Sequence, residues 1–145
     1  MTAKTGTVTY TSRPQLGEQR WVRGVITLDA AFATTNTYTI ANLFPSGGCK
    51  VLALRHASIE ADTHATPTLV YEIGNSDDAN GFKTSFTSAI GLQNSLASQA
   101  VAIGDGALIG TAITNRDLTL TVTADPATGA TSGDLIFEVL IEGNN

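Results

Sequence analysis

Cysteine is all but missing. Cys49 is the only one in 145 residues, so no disulfide can form within the chain and no oxidising compartment is implied. Charge is scarce too: charged residues make up 14%, against about 25% in a typical domain. There is one tryptophan, Trp21. No run approaches the ~20 apolar residues that a transmembrane helix needs. Met1 to Tyr10 holds one lysine and no apolar segment, so it does not read as a secretory signal. These absences predict a protein made and folded in a cytoplasm. Several chemistries are missing as well. Gly104-Asp105-Gly106 lacks the Gly-Lys-Ser/Thr ending of a phosphate loop, and there is neither a Gly-x-Ser-x-Gly elbow nor a zinc-type cysteine pair.

What is present is apolar content of 42% and much threonine, which favours strands. A chain of this length fits one domain and can bury roughly 70% of its unfolded surface. The net charge of −5 is unevenly placed. Residues 1–24 carry Lys4, Arg13, Arg20 and Arg23 against Glu18, a net of +3, which leaves −8 on the rest. An acidic body argues against a nucleic-acid partner, because phosphate binding needs a basic surface.

The stretch from Ile113 to Gly143 organises the chain. Leu118, Leu120 and Val122 alternate with Thr119, Thr121 and Thr123; Leu135, Phe137, Val139 and Ile141 alternate with Ile136, Glu138, Leu140 and Glu142. Such alternation marks half-buried strands. Between them lie Asp125-Pro126, Gly129 and Gly133, where the chain must turn. The pattern predicts a β-hairpin with a long loop, with Leu120 and Phe137 in the core.

Further strands are predicted at Gln19–Leu28, Thr37–Phe44, Cys49–Ile59, Thr68–Gly74 and Lys83–Phe86. Val51 to Leu54 is apolar without interruption, as in strands covered on both sides. Leu92 to Val101 only loosely follows a helical period, so it is either a brief helix or an irregular excursion. Thr5 to Thr11 alternates Thr with Val8 and Tyr10. It is either the first strand or an extended arm that pairs with a neighbour. The overall expectation is an all-β, single-domain antiparallel sandwich, residues 18–145, preceded by an extended N-terminal arm, residues 1–17.

Three groups of residues invite a chemical reading. His56, Glu60, Asp62 and His64 share parity, and such side chains bind divalent metals. Extended, however, His56 and His64 lie roughly 26 Å apart. Asn75 to Gly81 clusters oxygens, but Phe86 stands where a calcium loop needs its bidentate glutamate; an Asx-rich turn is the simpler reading. Cys49 reads as a small buried hydrophobe. No catalytic set, metal site or cofactor is therefore expected. Candidate partner-binding residues are Lys4, Val8, Tyr10, Arg13, Arg20, Trp21 and Arg23. Trp21 is either a core or edge-covering aromatic, or an intersubunit anchor.

Four features occur together: Pro45-Ser46-Gly47-Gly48 leading into an apolar strand, TLVYEIGNSDDANGF from Thr68, the Gly104-Asp105-Gly106 element, and the closing LTLTVTADPATGATSGDLIFEVLIEG. Their order resembles small structural proteins of tailed bacteriophages, especially capsid decoration or cement proteins with β-sandwich or jelly-roll-like folds. The resemblance spans residues 37–143 and carries no catalytic residues. It implies many copies on the outer surface of a capsid, after synthesis in the host cytoplasm. It also implies trimers or dimers, a homotrimer foremost, bridging neighbouring major capsid subunits, with no nucleic-acid or membrane partner. Two other classes stay open: a receptor- or carbohydrate-binding module of a phage fibre or tail, and an enzyme.

Overall fold

The computed structural model describes residues 2–9, 17–34, 36–58, 61–86, 102–103 and 105–143. Among the described residues eleven strands form two sheets: β1 (Thr2–Thr5), β2 (Thr7–Thr9), β3 (Gln19–Leu28), β4 (Asn36–Ile40), β5 (Cys49–Ser58), β6 (Val70–Gly74), β7 (Lys83–Phe86), β8 (Ala102–Ile103), β9 (Ala112–Ile113), β10 (Leu118–Ala124) and β11 (Gly133–Gly143). One sheet runs β1-β4-β10-β6-β7; the other runs β2-β3-β11-β5-β8, with β9 also on β5. Pairing is antiparallel except between β1 and β4, which are parallel. No helix occurs among the described residues, and the region proposed as a brief helix, 92–101, lies outside them. The fold class is the expected all-β sandwich.

One expectation is overturned. The last two long strands are not a hairpin. β10 pairs with β4 and β6, whereas β11 pairs with β3 and β5. Alternation states which residues share a face; it does not say which strand accepts the hydrogen bonds. The connection through Asp125 to Ser132 is long enough to cross the ~10 Å between packed sheets. The stretch nonetheless organises the fold, because each of its strands has partners on both sides, one in each sheet.

The two apolar faces meet in one core. Leu118, Leu120 and Val122 of β10 and Leu135, Phe137, Val139 and Ile141 of β11 are all buried. Val51 and Leu54 of β5 are buried too, although three positions apart. A register shift opposite Leu140/Ile141 places Val51 across from Ile141 and Leu54 across from Val139. Such a bulge adds one residue and resets the alternation. The unbroken apolar run therefore reflects a bulge; Leu52 and Ala53 remain half-buried. Cys49 is fully buried and free, and burial pushes its thiol up to about 12.

Residues 2–9 contribute an edge strand to each sheet. β1 lies along β4 and β2 along β3, with Gly6 between them. Thr2–Thr5 and Thr7–Thr9 thus run as edge strands of the sandwich, and Tyr10 and Thr11 lie outside the described residues.

Candidate docking face

β11 pairs with β3 in unbroken register and with β5 across the one bulge at Leu52, so alternate side chains of the three strands form rows across the six-stranded sheet. Gln19 is opposite Glu142, which is opposite Lys50; Trp21, Leu140 and Ala53 form the next row; Arg23, Glu138 and Arg55 the third; Val25, Ile136 and Ala57 the fourth. Polar and apolar rows alternate. Glu138 accepts from Arg23 Nη1 at 3.5 Å through one oxygen and from Arg55 Nη2 at 2.9 Å through the other. The Arg55 guanidinium also stacks 4.1 Å from the centroid of the Trp21 ring. Gln19 Nε2 donates to Glu142 at 3.3 Å, and Thr27 Oγ1 to Asp134 at 2.8 Å.

Trp21 is 44% exposed and is the one large hydrophobic side chain exposed among the described residues. It is not a core aromatic. Exposed ion pairs contribute about 0–1 kcal/mol each, and an exposed cation–π contact roughly 0.5–1 kcal/mol. Their effect here is geometric: Arg55 and Glu138 limit where the indole can lie. A side chain ordered in advance loses less entropy when a partner covers it. Arg55 Nε is buried without a hydrogen-bond partner among the described residues.

The structure sorts the candidate partner-binding residues. Trp21 and Arg23 come together on this face. Arg20 points the other way along β3 and pairs with Glu18, half-buried. Lys4 is opposite Tyr38 at the edge of the other sheet, and Val8 is opposite Gly24 beside β3. Tyr10 and Arg13 lie outside the described residues. Sequence reasoning missed Arg55, Glu138, Leu140 and Ala53 as neighbours of Trp21. The alternation of β11 put Glu138 and Leu140 on one face, but only the register shows which residues of β3 and β5 flank them.

The candidate metal ligands do other work. His56 is fully buried. Its Nδ1 is 3.0 Å from the Ile136 carbonyl and its Nε2 is 2.7 Å from the Tyr71 hydroxyl. A carbonyl only accepts, so Nδ1 carries the proton and Nε2 accepts from Tyr71. Because His56 is on β5 and Tyr71 on β6, this bond ties the two sheets together. Burial, partly offset by the Ile136 bond, pushes the imidazole down to about 4. Asp62, also buried, accepts from the N–H groups of His64, Thr68, Leu69, Ala127 and Thr128 at 2.8–3.2 Å. Burial alone would raise its pKa, but these backbone bonds hold it well below the usual carboxylate range. The carboxylate joins the 61–69 loop to the crossing between β10 and β11. His64 Nδ1 accepts from Thr66 N at 3.0 Å on an exposed loop, and Glu60 lies outside the described residues. In the 75–81 loop, Asn75 Oδ1 accepts from Asp77 N and Asp78 N at 2.9 and 3.0 Å. It is an Asx turn.

The buried polar side chains His56 and Asp62 thus hold the sandwich together, and the rows of β3, β11 and β5 bring Trp21, Arg23, Arg55 and Glu138 together on its outer face. Chains from three solved phage capsids are similar to this one in fold. A chain of the cyanophage Pam1 capsid asymmetric unit aligns with a TM-score of 0.66 and 21% identity over 92% of this chain and 91% of that one. A chain of the capsid of Ralstonia phage GP4 aligns at 0.63 and 17% identity over 94% and 92%. A chain of the acid-stable capsid of Helicobacter pylori bacteriophage KHP30 aligns at 0.55 and 12% identity over 97% and 94%. No protein-family model and no curated protein matches the sequence. The likeness is one of fold, and it covers whole chains of about this length.

Proposed function

We propose that this protein is a non-enzymatic structural component of a phage virion that decorates the outside of the capsid. There it cements the shell by bridging neighbouring major capsid subunits. The observation that carries the reading is the near-complete coverage, in both directions, of chains from three phage capsids. The shared unit is a whole small chain rather than one domain of a larger subunit. The face around Trp21 suits the task, since an ordered aromatic flanked by arginines is the usual chemistry of an interface centre. Trp21, Arg23 and Arg55 dock on the capsid, and the basic segment 1–17, with Lys4, Val8, Tyr10 and Arg13, adds a second contact. A homotrimer multiplies these weak contacts by avidity.

The test is to add purified protein to particles lacking it and image them. Density of one sandwich at symmetry-related positions outside the shell is expected. Binding should weaken with added salt, because exposed charges more than ~8 Å apart are screened at physiological ionic strength. Density confined to the tail or fibre would overturn the capsid reading in favour of a receptor- or carbohydrate-binding module. Exposed Trp21 is the feature that favours that second reading. Against it, Phe32, Tyr38, Phe44, Tyr71, Phe82 and Phe137 are all buried, so none of these six joins Trp21 in a sugar platform.

A further inference from the structure

Residues 2–9 close one side of the sandwich by main-chain pairing. β1 pairs with the outer edge of β4 and β2 with the outer edge of β3. One short segment therefore covers an edge of both sheets at once. It crosses between them at Gly6, whose N–H donates to the Thr39 carbonyl at 2.7 Å. A Cβ there would meet Ile40 Cγ1 at 2.7 Å, the Val25 carbonyl oxygen at 2.7 Å and Ile26 Cγ1 at 2.9 Å. Gly24, opposite Val8, is as tight: a Cβ would lie 2.7 Å from Ile40 Cδ1. The seat is thus a slot shaped for glycine, walled by Ile26 and Ile40. Without the segment, β3 and β4 would present unpaired N–H and C=O groups, which readily recruit a strand from elsewhere.

Main-chain pairing does not distinguish one copy's segment from another's. The connection from β2 to β3 runs from residue 10 to residue 18, nine residues. Adjacent antiparallel strands need only about two to five, so the linker is longer than closure on its own chain requires. Thr2 to Thr9 holds one large apolar residue, Val8, so its release uncovers the slot while removing little hydrophobic packing of its own. Lys4 adds a positive charge to a segment whose destination, the rest of the chain, is acidic.

We infer that residues 2–9 are an exchangeable closing strand, and that the slot between β3 and β4 is a binding site for the same residues of a second copy. The contacts are the same within one chain and between two, so concentration decides between them. A connection of this length holds its own segment at an effective concentration in roughly the millimolar range. Dilute chains close on themselves. Copies packed at millimolar density exchange segments and become linked. This exchange does not depend on the capsid reading.

The experiment uses the register pair Thr7 and Val25. A chain carrying both Thr7→Cys and Val25→Cys, oxidised at micromolar concentration, should form an internal disulfide. Two full chains of different size, one with Thr7→Cys and one with Val25→Cys, are then mixed, unfolded, refolded at millimolar concentration and oxidised. A disulfide joining the two sizes should dominate at millimolar and fade at micromolar concentration. The same Thr7→Cys chain mixed with Thr121→Cys, on the far sheet, should give almost none. Gly6→Val should abolish the mixed product. An internal disulfide without any mixed product at millimolar concentration overturns the exchange. A double variant that fails to close internally overturns the seat itself, and equal yield with Thr121→Cys reduces the linkage to random collision.

Discussion

The two outer faces of the sandwich cover the same core and have little else in common. On the six-stranded sheet the outward rows hold Trp21, Arg23, Arg55 and Glu138, stacked and ion-paired. On the five-stranded sheet the outward residues of β4 and β10 are Thr37, Thr39, Thr119, Thr121 and Thr123; Thr119 is opposite Thr39, and Thr121 lies between Thr37 and Glu72. Threonine favours strand geometry through its branched Cβ and supplies hydroxyls without charge. One face is therefore built as a sheet surface. The other carries a large aromatic that a sheet surface does not need. The inner faces are chemically alike; what separates them from each other is only which strands they pair with.

The comparison breaks most completely if the shared core is damaged, since both faces then go. Phe137→Ala should cost about 3–5 kcal/mol, through lost contacts and the cavity left behind. The ring stacks on His56 at a centroid distance of 4.4 Å, so its removal also loosens the tie between sheets. Denaturant unfolding checks this, and an unchanged midpoint would show that β11's inner face is misassigned. Asp62→Ala should cost about 3 kcal/mol or more, because buried donors left without an acceptor carry the full desolvation penalty. Its loss frees the β10–β11 crossing, which should show as faster proteolysis near Ala127.

A milder way to strain both faces is acid. The folded His56 takes a proton only near pH 4, whereas the unfolded residue does so near 6.5. As pH falls from 6.5 to about 4 the unfolded state binds the proton first, so stability declines, by up to about 1.4 kcal/mol per pH unit. Below about 4 that decline stops. Asp62 acts in a lower window: its folded pKa lies below the ordinary 3.8, so its contribution is lost as pH drops beneath that value. Unfolding curves at pH 7, 5.5 and 4 should show the upper slope, and His56→Leu should remove it while leaving the loss below 3.8.

How much of this was legible follows from what alternation encodes. β3 and β7 match the expected spans, Gln19–Leu28 and Lys83–Phe86, and Leu120 and Phe137 are core residues as expected. Period two gives the face of each side chain locally, and burial rewards it. Sheet partnership is different, because Leu118–Ala124 would satisfy its hydrogen bonds against any suitable edge. Nothing local decides between a hairpin and a crossing to the opposite sheet. The bulge beside Leu52 was hidden for the same reason: an apolar run of Val51-Leu52-Ala53-Leu54 reads alike whether covered on both sides or reset by one residue. Of the candidate docking face, Trp21 and Arg23 were legible because both are conspicuous in a charge-poor chain. Arg55 was not, since its place beside Trp21 depends on two registers through β11.

The smallest effect on stability should come with the largest effect on docking, and it separates the two outer faces. Trp21→Ala removes an exposed ring, so the folded state loses roughly the cation–π contact and little else, under about 1 kcal/mol. Thr121→Ala on the opposite face should likewise stay within about 0.5 kcal/mol, as surface changes usually do. The two variants are then equally folded and differ only in which face has been altered. If the six-stranded face meets the capsid, Trp21→Ala should lower binding to particles by roughly 30- to 1,000-fold, as truncation of a central aromatic anchor costs about 2–4 kcal/mol. Thr121→Ala should bind as the parent does. Arg55→Lys sharpens the point: it keeps the charge but loses the planar stack on the indole and the fork that meets Glu138, so binding should fall by about tenfold if pre-ordering of Trp21 matters, and hardly at all if charge alone steers the contact. A reversal, with Thr121→Ala binding poorly and Trp21→Ala binding normally, would move the docking face to the threonine side and leave the stacked arginine without a role in assembly.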